Sequence, residues 1–491
     1  MVKNTKQNFK LRILSGSLMM NSILYFLFGF LVLVLLLLIG LSYHLRKMLL
    51  KNDSQVDIQN EQYQERLSST QGFVYASIFF VVISILFLTW FLVKDTIYEG
   101  HLMEWLNIVV RLMHITFGIA WIGASFYFVW LENALNRTDN VRDELAGNLW
   151  AVHGGGFYYL EKYKIAPKTI PKQLHWFKYE AYFTWLSGFC LLCIVYYFNA
   201  KAFLIDKHVL DISSATAICI GIISFILAWI IYDLLCKSPL INKGIWFAII
   251  GFIIAVGFAF FYSRVFSSRA AYIHFGAMIG TLMVANVFFV IIPSQKAMVK
   301  AAKENKPLDP TLGKKALQRS LHNNYFTLPV LFVMISNHFP STFGNKHAWL
   351  VLAVISLGLA GLKHWLNLRE KGQMSTWVMP VSALILLAVA YMTAPKKPEK
   401  KNDTVVTMSE VYPIIQARCV ACHSTRPTNK TFTAPPNGVV YETPEDIVKL
   451  KDKIMQRVVL TKTMPQNNET NMTQEERDLI GSWIEQGAKL K

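Results

Sequence analysis

The chain has 491 residues, of which 53% are hydrophobic and only 16% charged, where soluble domains carry about 25% charged residues. The formal net charge of +18 would suit nucleic acid, but Lys and Arg cluster in loops between apolar runs, a topogenic distribution that excludes a nucleic-acid partner from the reading. Six cysteines make no disulfide framework, because Cys190, Cys193, Cys219 and Cys236 lie in apolar segments where buried structural thiols are expected.

In chain order, apolar segments recur at about 17–43, 72–93, 105–131, 179–199, 213–235, 244–263, 271–292, 324–340, 347–366 and 375–393. Most approach the ~20 residues that a spanning helix needs. The run Ile13–Tyr43 is too long for a cleavable signal and lacks a clear small-residue cleavage site. Gly276 and Gly280 give a small-x-x-x-small spacing that predicts close helix packing. Segment 324–340 stands apart: polar His322–Tyr325 leads in, Pro329 interrupts, and Ser336-Asn337-His338 closes it. Such a pattern predicts a short, interrupted helix lining a cavity or the protein interior.

The Pro/Lys-rich stretch 394–407 reads as a linker into a C-terminal domain, 408–491. Loops at 44–71, 132–178, 237–243, 294–323 and 363–374 hold 23 Lys and Arg against 6 in the intervening loops 94–104, 200–212, 264–270 and 340–346, so the positive-inside rule places that domain, with the latter loops, on the outer side. His114, His274 and His338 then fall in the outer parts of three helices, with Arg111 one turn from His114. Ionisable side chains are costly in a bilayer and mark function. Three histidines from separate helices could ligate a second, non-covalent haem, with Arg111 on a propionate.

Cys419-Val420-Ala421-Cys422-His423 is the attachment signature of a covalent c-type haem. The two thiols take the vinyl groups, and His423 becomes an axial iron ligand. Met464, stiffened by Pro465, is the expected sixth ligand; Met455 and Met472 compete for the role. Ser409 precedes one helix, and Thr473-x-x-Glu476 is a capping box opening another over Gln474–Gln486. The expected fold is all-α: a polytopic α-helical membrane bundle followed by a small α-helical cytochrome c domain.

Ordered motifs between Glu104 and Ala488 extend this reading. They include Arg111-x-x-His114 followed by Gly118–Tyr127, Leu149–Tyr158 with His153-Gly154-Gly155-Gly156, and Leu174–Tyr182 with His175. Met283–Phe288, His322–Tyr325 through His338, the C-x-x-C-H run and Met464-Pro465 complete the set. In these the chain resembles the bacterial membrane-bound urate hydroxylases, urate oxidases with a C-terminal cytochrome c domain. The family usually begins near Glu104, so 1–103, with two hydrophobic helices, reads as an extension ahead of a membrane domain at 104–393. The resemblance implies oxidation of urate to 5-hydroxyisourate in purine catabolism. Electrons would pass to the fused haem and on to a respiratory oxidase or a soluble cytochrome. It also implies a multi-pass protein of the bacterial inner membrane, with the cytochrome on the periplasmic side.

Urate is a planar anion, and its oxidation needs a base, a task for which histidine is suited. His153, His175 and His322 are the candidates on the cytoplasmic side, with Lys178 or Arg319 to meet the charge. Two electrons leave urate while one c-haem accepts one, and a hydrocarbon core of roughly 30 Å separates the two sides. Both points favour the second haem; the competing arrangement puts urate near the outer surface in a pocket of the same His114, His274, His338 and Arg111. A glycine run after His153 matches the oxyanion loop of lipases, but no G-x-S-x-G accompanies it, which excludes hydrolysis. From the residues alone, a quinol-to-cytochrome electron carrier or a solute transporter with a fused cytochrome remains the alternative.

Overall fold

A computed structural model describes residues 29, 31–48, 59–93, 96, 98–167, 169–171, 174–394, 405–429, 431–432 and 434–490. They belong to two compact units, 1–105 and 106–491. In the first unit, α1 (Leu31–Met48) and α2 (Gln59–Val93) pack Leu45 and Val74 with Met48 and Ile78. The Pro/Lys-rich residues 395–404 of the expected linker lie outside the described residues.

Long apolar runs become helices because a helix satisfies its own backbone polar groups without water. The chain continues as α3 (Tyr98–Ala134), α4 (Tyr179–Leu192), α5 (Ser214–Lys237), α6 (Gly244–Val265) and α7 (Ser268–Ala285). A π-helical turn, Asn286–Ile291, carries α7 into α8 (Ile292–Lys303). After these come α9 (Pro310–Ser336), the short α10 (Pro340–Phe343), α11 (Ala348–Glu370) and α12 (Val378–Met392). Seven stretches among the described residues are long and apolar enough to cross a membrane: α1, α3, α4 with its last turn, α5, α6, α7–α8 and α11. The fold is an all-α membrane bundle.

The bundle is organised around α7, which touches α4, α5, α6, α9 and α11. Small residues allow this: a Cβ on Gly276 would stand 2.5 Å from Val333 Cγ1 on α9. Gly280 has nothing within 4 Å of that position, so only the first glycine of the spaced pair mediates close packing. The structure also corrects segment 324–340. Residues 324–336 are the second half of the continuous α9, with Pro329 inside the helix, and the rest of the segment turns into α10. The polar first half stays helical because neighbouring helices cover it, burying Arg319, Asn323 and Asn324.

One departure from pure helix lies between α3 and α4. Strands β1 (Leu145–His153) and β2 (Gly156–Tyr163) form an antiparallel hairpin, with His153 opposite Gly156. Gly154 and Gly155 take φ of 56° and 79°, which a two-residue mirror-image turn demands and glycine supplies without steric penalty.

The C-terminal domain has its own core. Helices α13 (Met408–Arg418), α14 (Pro444–Lys449), α15 (Lys451–Ile454) and α16 (Gln474–Glu485) bury Val411, Ile415, Ile447, Ile454, Ile480 and Trp483. Capping boxes start three of them, at Thr407/Glu410, Thr443/Asp446 and Thr473/Glu476. The third is the one read from sequence. The first helix is capped by Thr407 and not by Ser409, which falls inside its first turn.

Candidate functional site

At the end of α13 the chain turns on itself: the amides of Cys422 and His423 both donate to Cys419 O, at 3.2 and 2.9 Å. That single turn brings two free thiols and one imidazole together. His423 Nδ1 bonds the carbonyl of Val439 at 3.0 Å. With Nδ1 donating, Nε2 keeps its lone pair for a metal. Burial lowers the His423 pKa and favours the neutral, ligating form. Burial also pushes the Cys419 thiol up to about 12, so this position suits an uncharged sulfur such as a thioether.

Met464 lies on a loop after α15, its amide bonded to Arg457 O at 3.0 Å. Arg477 of α16, 5% exposed, donates through Nη1 to the carbonyls of both Val458 and Met464 at 2.6 Å and through Nη2 to Asn468 Oδ1 at 3.2 Å. This guanidinium fixes the Met464 loop, and the sequence reading missed it because an Arg on an amphipathic helix reads as surface charge. Met472 is buried in the domain core at 3% exposure, and Met455 packs against the same core. Two thiols, a tethered imidazole and a thioether on a braced loop form a donor set that fits haem c. Cys419, Cys422, His423 and Met464 are the residues that would hold it.

The same loop meets the bundle. Gln466 Nε2 donates to Ala202 O at 2.5 Å, and Asn467 Nδ2 donates to Ala202 O and Ile205 O at 2.9 and 2.8 Å. At Gly344, after α10, a Cβ would lie 2.6 Å from Thr463 Cγ2 and 2.9 Å from Thr461 O, so only glycine admits this approach. Phe203 and Phe432 contact edge to face across the junction, with centroids 6.2 Å apart. The Met464 loop therefore abuts the connections at 200–205 and 340–344, both assigned to the outer side from the charge distribution.

The expected second-haem residues are engaged one by one. His274 is fully buried, with Nδ1 on Ala270 O at 2.9 Å and Nε2 3.3 Å from the Tyr197 hydroxyl. His114 Nδ1 meets Thr184 O at 3.0 Å and Ser187 Oγ at 3.3 Å. Arg111 bonds Asn107 within its own helix, and His338 is exposed. Among the described residues no three His, Cys, Asp or Glu side chains are grouped to hold a metal. Both nitrogens of His274 lie within hydrogen-bond distance of a neighbour, Ala270 O and the Tyr197 hydroxyl.

The expected catalytic histidines are likewise apart from one another in character. His153 is exposed at the hairpin turn, and His175 is exposed with its ring edge-on to Phe177. His322 is half-buried, stacked on Phe247 and bonded through Nδ1 to the Tyr232 hydroxyl at 2.8 Å. Near it, Arg319 donates to Asp233 Oδ1 at 2.7 Å and Asn286 Oδ1 at 3.0 Å. Asn286 in turn donates to Tyr232 and Asn323, at 3.0 and 2.8 Å. Arg319 is thus met by a carboxylate partner, Asp233, which it shares with Lys237 at 2.6 Å.

A different cation is not met. Lys363 of α11 is completely buried, and its Nζ has no hydrogen-bond partner. It lies 3.7 Å from the centroid of Phe126 on α3. One turn along, Asn367 donates to Asn324 Oδ1 at 3.0 Å while its own Oδ1 goes unbonded. Asn324 reaches Ser125 Oγ at 3.4 Å, and Tyr325 beside it bonds His364 Nδ1 at 2.6 Å. The carboxylate that acts on Lys363, Glu370, lies two turns on and accepts from Asn133 at 3.3 Å. Four buried side-chain atoms lack partners among the described residues, and two of them share this face of α11. A desolvated ammonium costs several kcal/mol, and a cation–π contact returns only about 2 kcal/mol of it.

A family model described as urate oxidase N-terminal matches residues 100–394. The chain belongs to this family. No curated protein and no solved structure matches the chain. The urate oxidase match covers α3 to α12, and with them the hairpin, the Arg319 network and the Lys363 cluster. Membership supports an oxidoreductase related to urate oxidation.

Proposed function

We propose that the chain is a membrane-bound urate hydroxylase that delivers its electrons to a fused cytochrome c. The supporting observation is the docking of the Met464 loop, through Gln466 and Asn467, onto the bundle that belongs to the urate oxidase family. The overall change is urate plus water to 5-hydroxyisourate, with two electrons and two protons released. Haem c, when bound, would take up those electrons one at a time. His423, held through Nδ1, and Met464, on the loop fixed by Arg477, would bind it. Glycine at 344 and the carbonyls of Ala202 and Ile205 hold the Met464 side of the domain against the bundle. In this reading the C-terminal domain stands on the outer, periplasmic side of the bacterial inner membrane, and a respiratory oxidase or a soluble cytochrome takes the electrons onward.

The test is anaerobic addition of urate to purified full-length protein, with the haem spectrum followed. Urate alone should reduce the haem and yield 5-hydroxyisourate without hydrogen peroxide. Reduction by a quinol with indifference to urate would instead identify a quinol-to-cytochrome carrier.

A further inference from the structure

We infer that Lys363, Asn367 and Phe126 form the binding site for the anionic heterocycle, within the bundle where α3, α9 and α11 converge. The inference rests on the proposed urate chemistry and gives it a place. Lys363 Nζ is a buried donor with three hydrogens and no acceptor, and Asn367 Oδ1 is a buried acceptor with no donor. The two lie four residues apart and therefore on one face of α11. A ligand that completes both must carry negative charge and also present a hydrogen-bond donor, N–H or O–H. Chloride and simple carboxylates at neutral pH lack any donor. Urate has both, on a planar ring system whose faces suit an aromatic side chain.

The surroundings fit a site built for such a ligand. Phe126, 3.7 Å from Nζ, is the contact that holds the ammonium when nothing else does. Its ring face becomes available to the heterocycle once Nζ moves onto the anion. Asn324, itself bonded to Ser125, accepts from the Asn367 amide and so leaves the Asn367 oxygen as the group available to a donor. Tyr325 and His364 give a hydrogen-bonded pair leading from α9 to the exposed face of α11. By contrast the guanidinium of Arg319, also buried in the bundle, already has hydrogen-bond partners in Asp233 and Asn286.

Lys363 is fifteen residues along α11 from Ala348, about 22 Å of helix from the end where the C-terminal domain docks. Binding must therefore be measured apart from electron transfer. Full-length protein is first reduced with ascorbate, so that urate can bind but not be oxidised, and urate affinity is measured by calorimetry. The expected result is binding by the wild type and a loss of about tenfold or more in Lys363→Met, the size of a lost charged hydrogen bond. Lys363→Arg should recover part of it, and Asn367→Leu should weaken binding while leaving ascorbate reduction of the haem unchanged. Covalent haem content and elution as a single species confirm folding, and Lys363→Gln serves as a second charge-free variant if Lys363→Met misfolds. Unchanged urate affinity in either charge-free variant overturns the site alone. Absence of urate binding by the wild type overturns the site together with the urate reading.

Discussion

Two buried cations in one bundle have opposite surroundings. Arg319 is 6% exposed and its guanidinium is shared between Asp233 and Asn286, within a network that runs on to Tyr232, His322 and Asn323. Lys363 is fully buried and rests on an aromatic face with no hydrogen bond. A cation of the first kind ties α5, α7 and α9 together and belongs to stability. A cation of the second kind costs stability and is explained by a ligand.

Removing each cation separates these roles. Arg319→Met should leave Asp233 and Asn286 without their partner and destabilise the bundle by about 3–5 kcal/mol, the usual cost of breaking a buried pair. Thermal unfolding in detergent should show a large fall in midpoint. Lys363→Met should do the reverse in ligand-free protein, being neutral or stabilising by about 1–4 kcal/mol. Urate should raise the midpoint of the wild type and leave that of Lys363→Met where it was.

A third buried cation, Arg477, sharpens the contrast, because it binds carbonyls and so serves to position. Arg477→Met should retain covalent haem but loosen the Met464 loop, lowering the haem potential toward that of Met464→Ala, since a thioether ligand favours ferrous iron. A potentiometric titration reads this directly. The smallest effect expected is at Glu476. Desolvation would raise its pKa, but Arg418, at 2.9 Å, and the Thr473 amide outweigh this and hold it below the usual glutamate range. A carboxylate depressed in the folded state contributes stability above its unfolded pKa of about 4.3, and the contribution is lost as pH falls through the folded value. The midpoint of the C-terminal domain should therefore decline in acid below about pH 4, and Glu476→Gln should flatten that decline.

Much of the fold was legible because α5, α6, α7 and α11 are apolar runs of spanning length. The C-x-x-C-H turn was legible because its chemistry is local in sequence. The hairpin at 145–163 was not expected, although alternating residues around Gly154-Gly155 carried its signal. In segment 324–340 the polar residues and Pro329 spell an interruption in sequence, whereas burial by neighbouring helices keeps α9 continuous through Ser336. Lys363 was counted among the basic residues of an inner loop. At the end of an apolar run, a lysine that snorkels to solvent looks the same in sequence as one that is buried. Only the extension of α11 to Glu370, and the approach of Phe126 to Nζ, separate the two. For His114 and His274, depth in the bundle can be inferred from helix position, whereas the partners Ala270, Tyr197 and Thr184 cannot.

The central claim is that urate oxidation in the bundle is coupled to the C-terminal haem. The most direct measurement is an anaerobic titration of oxidised full-length protein with urate, following haem absorbance and product together. The account predicts two haems reduced for each urate converted to 5-hydroxyisourate. Haem that stays oxidised at saturating urate, while ascorbate reduces it fully, would contradict it.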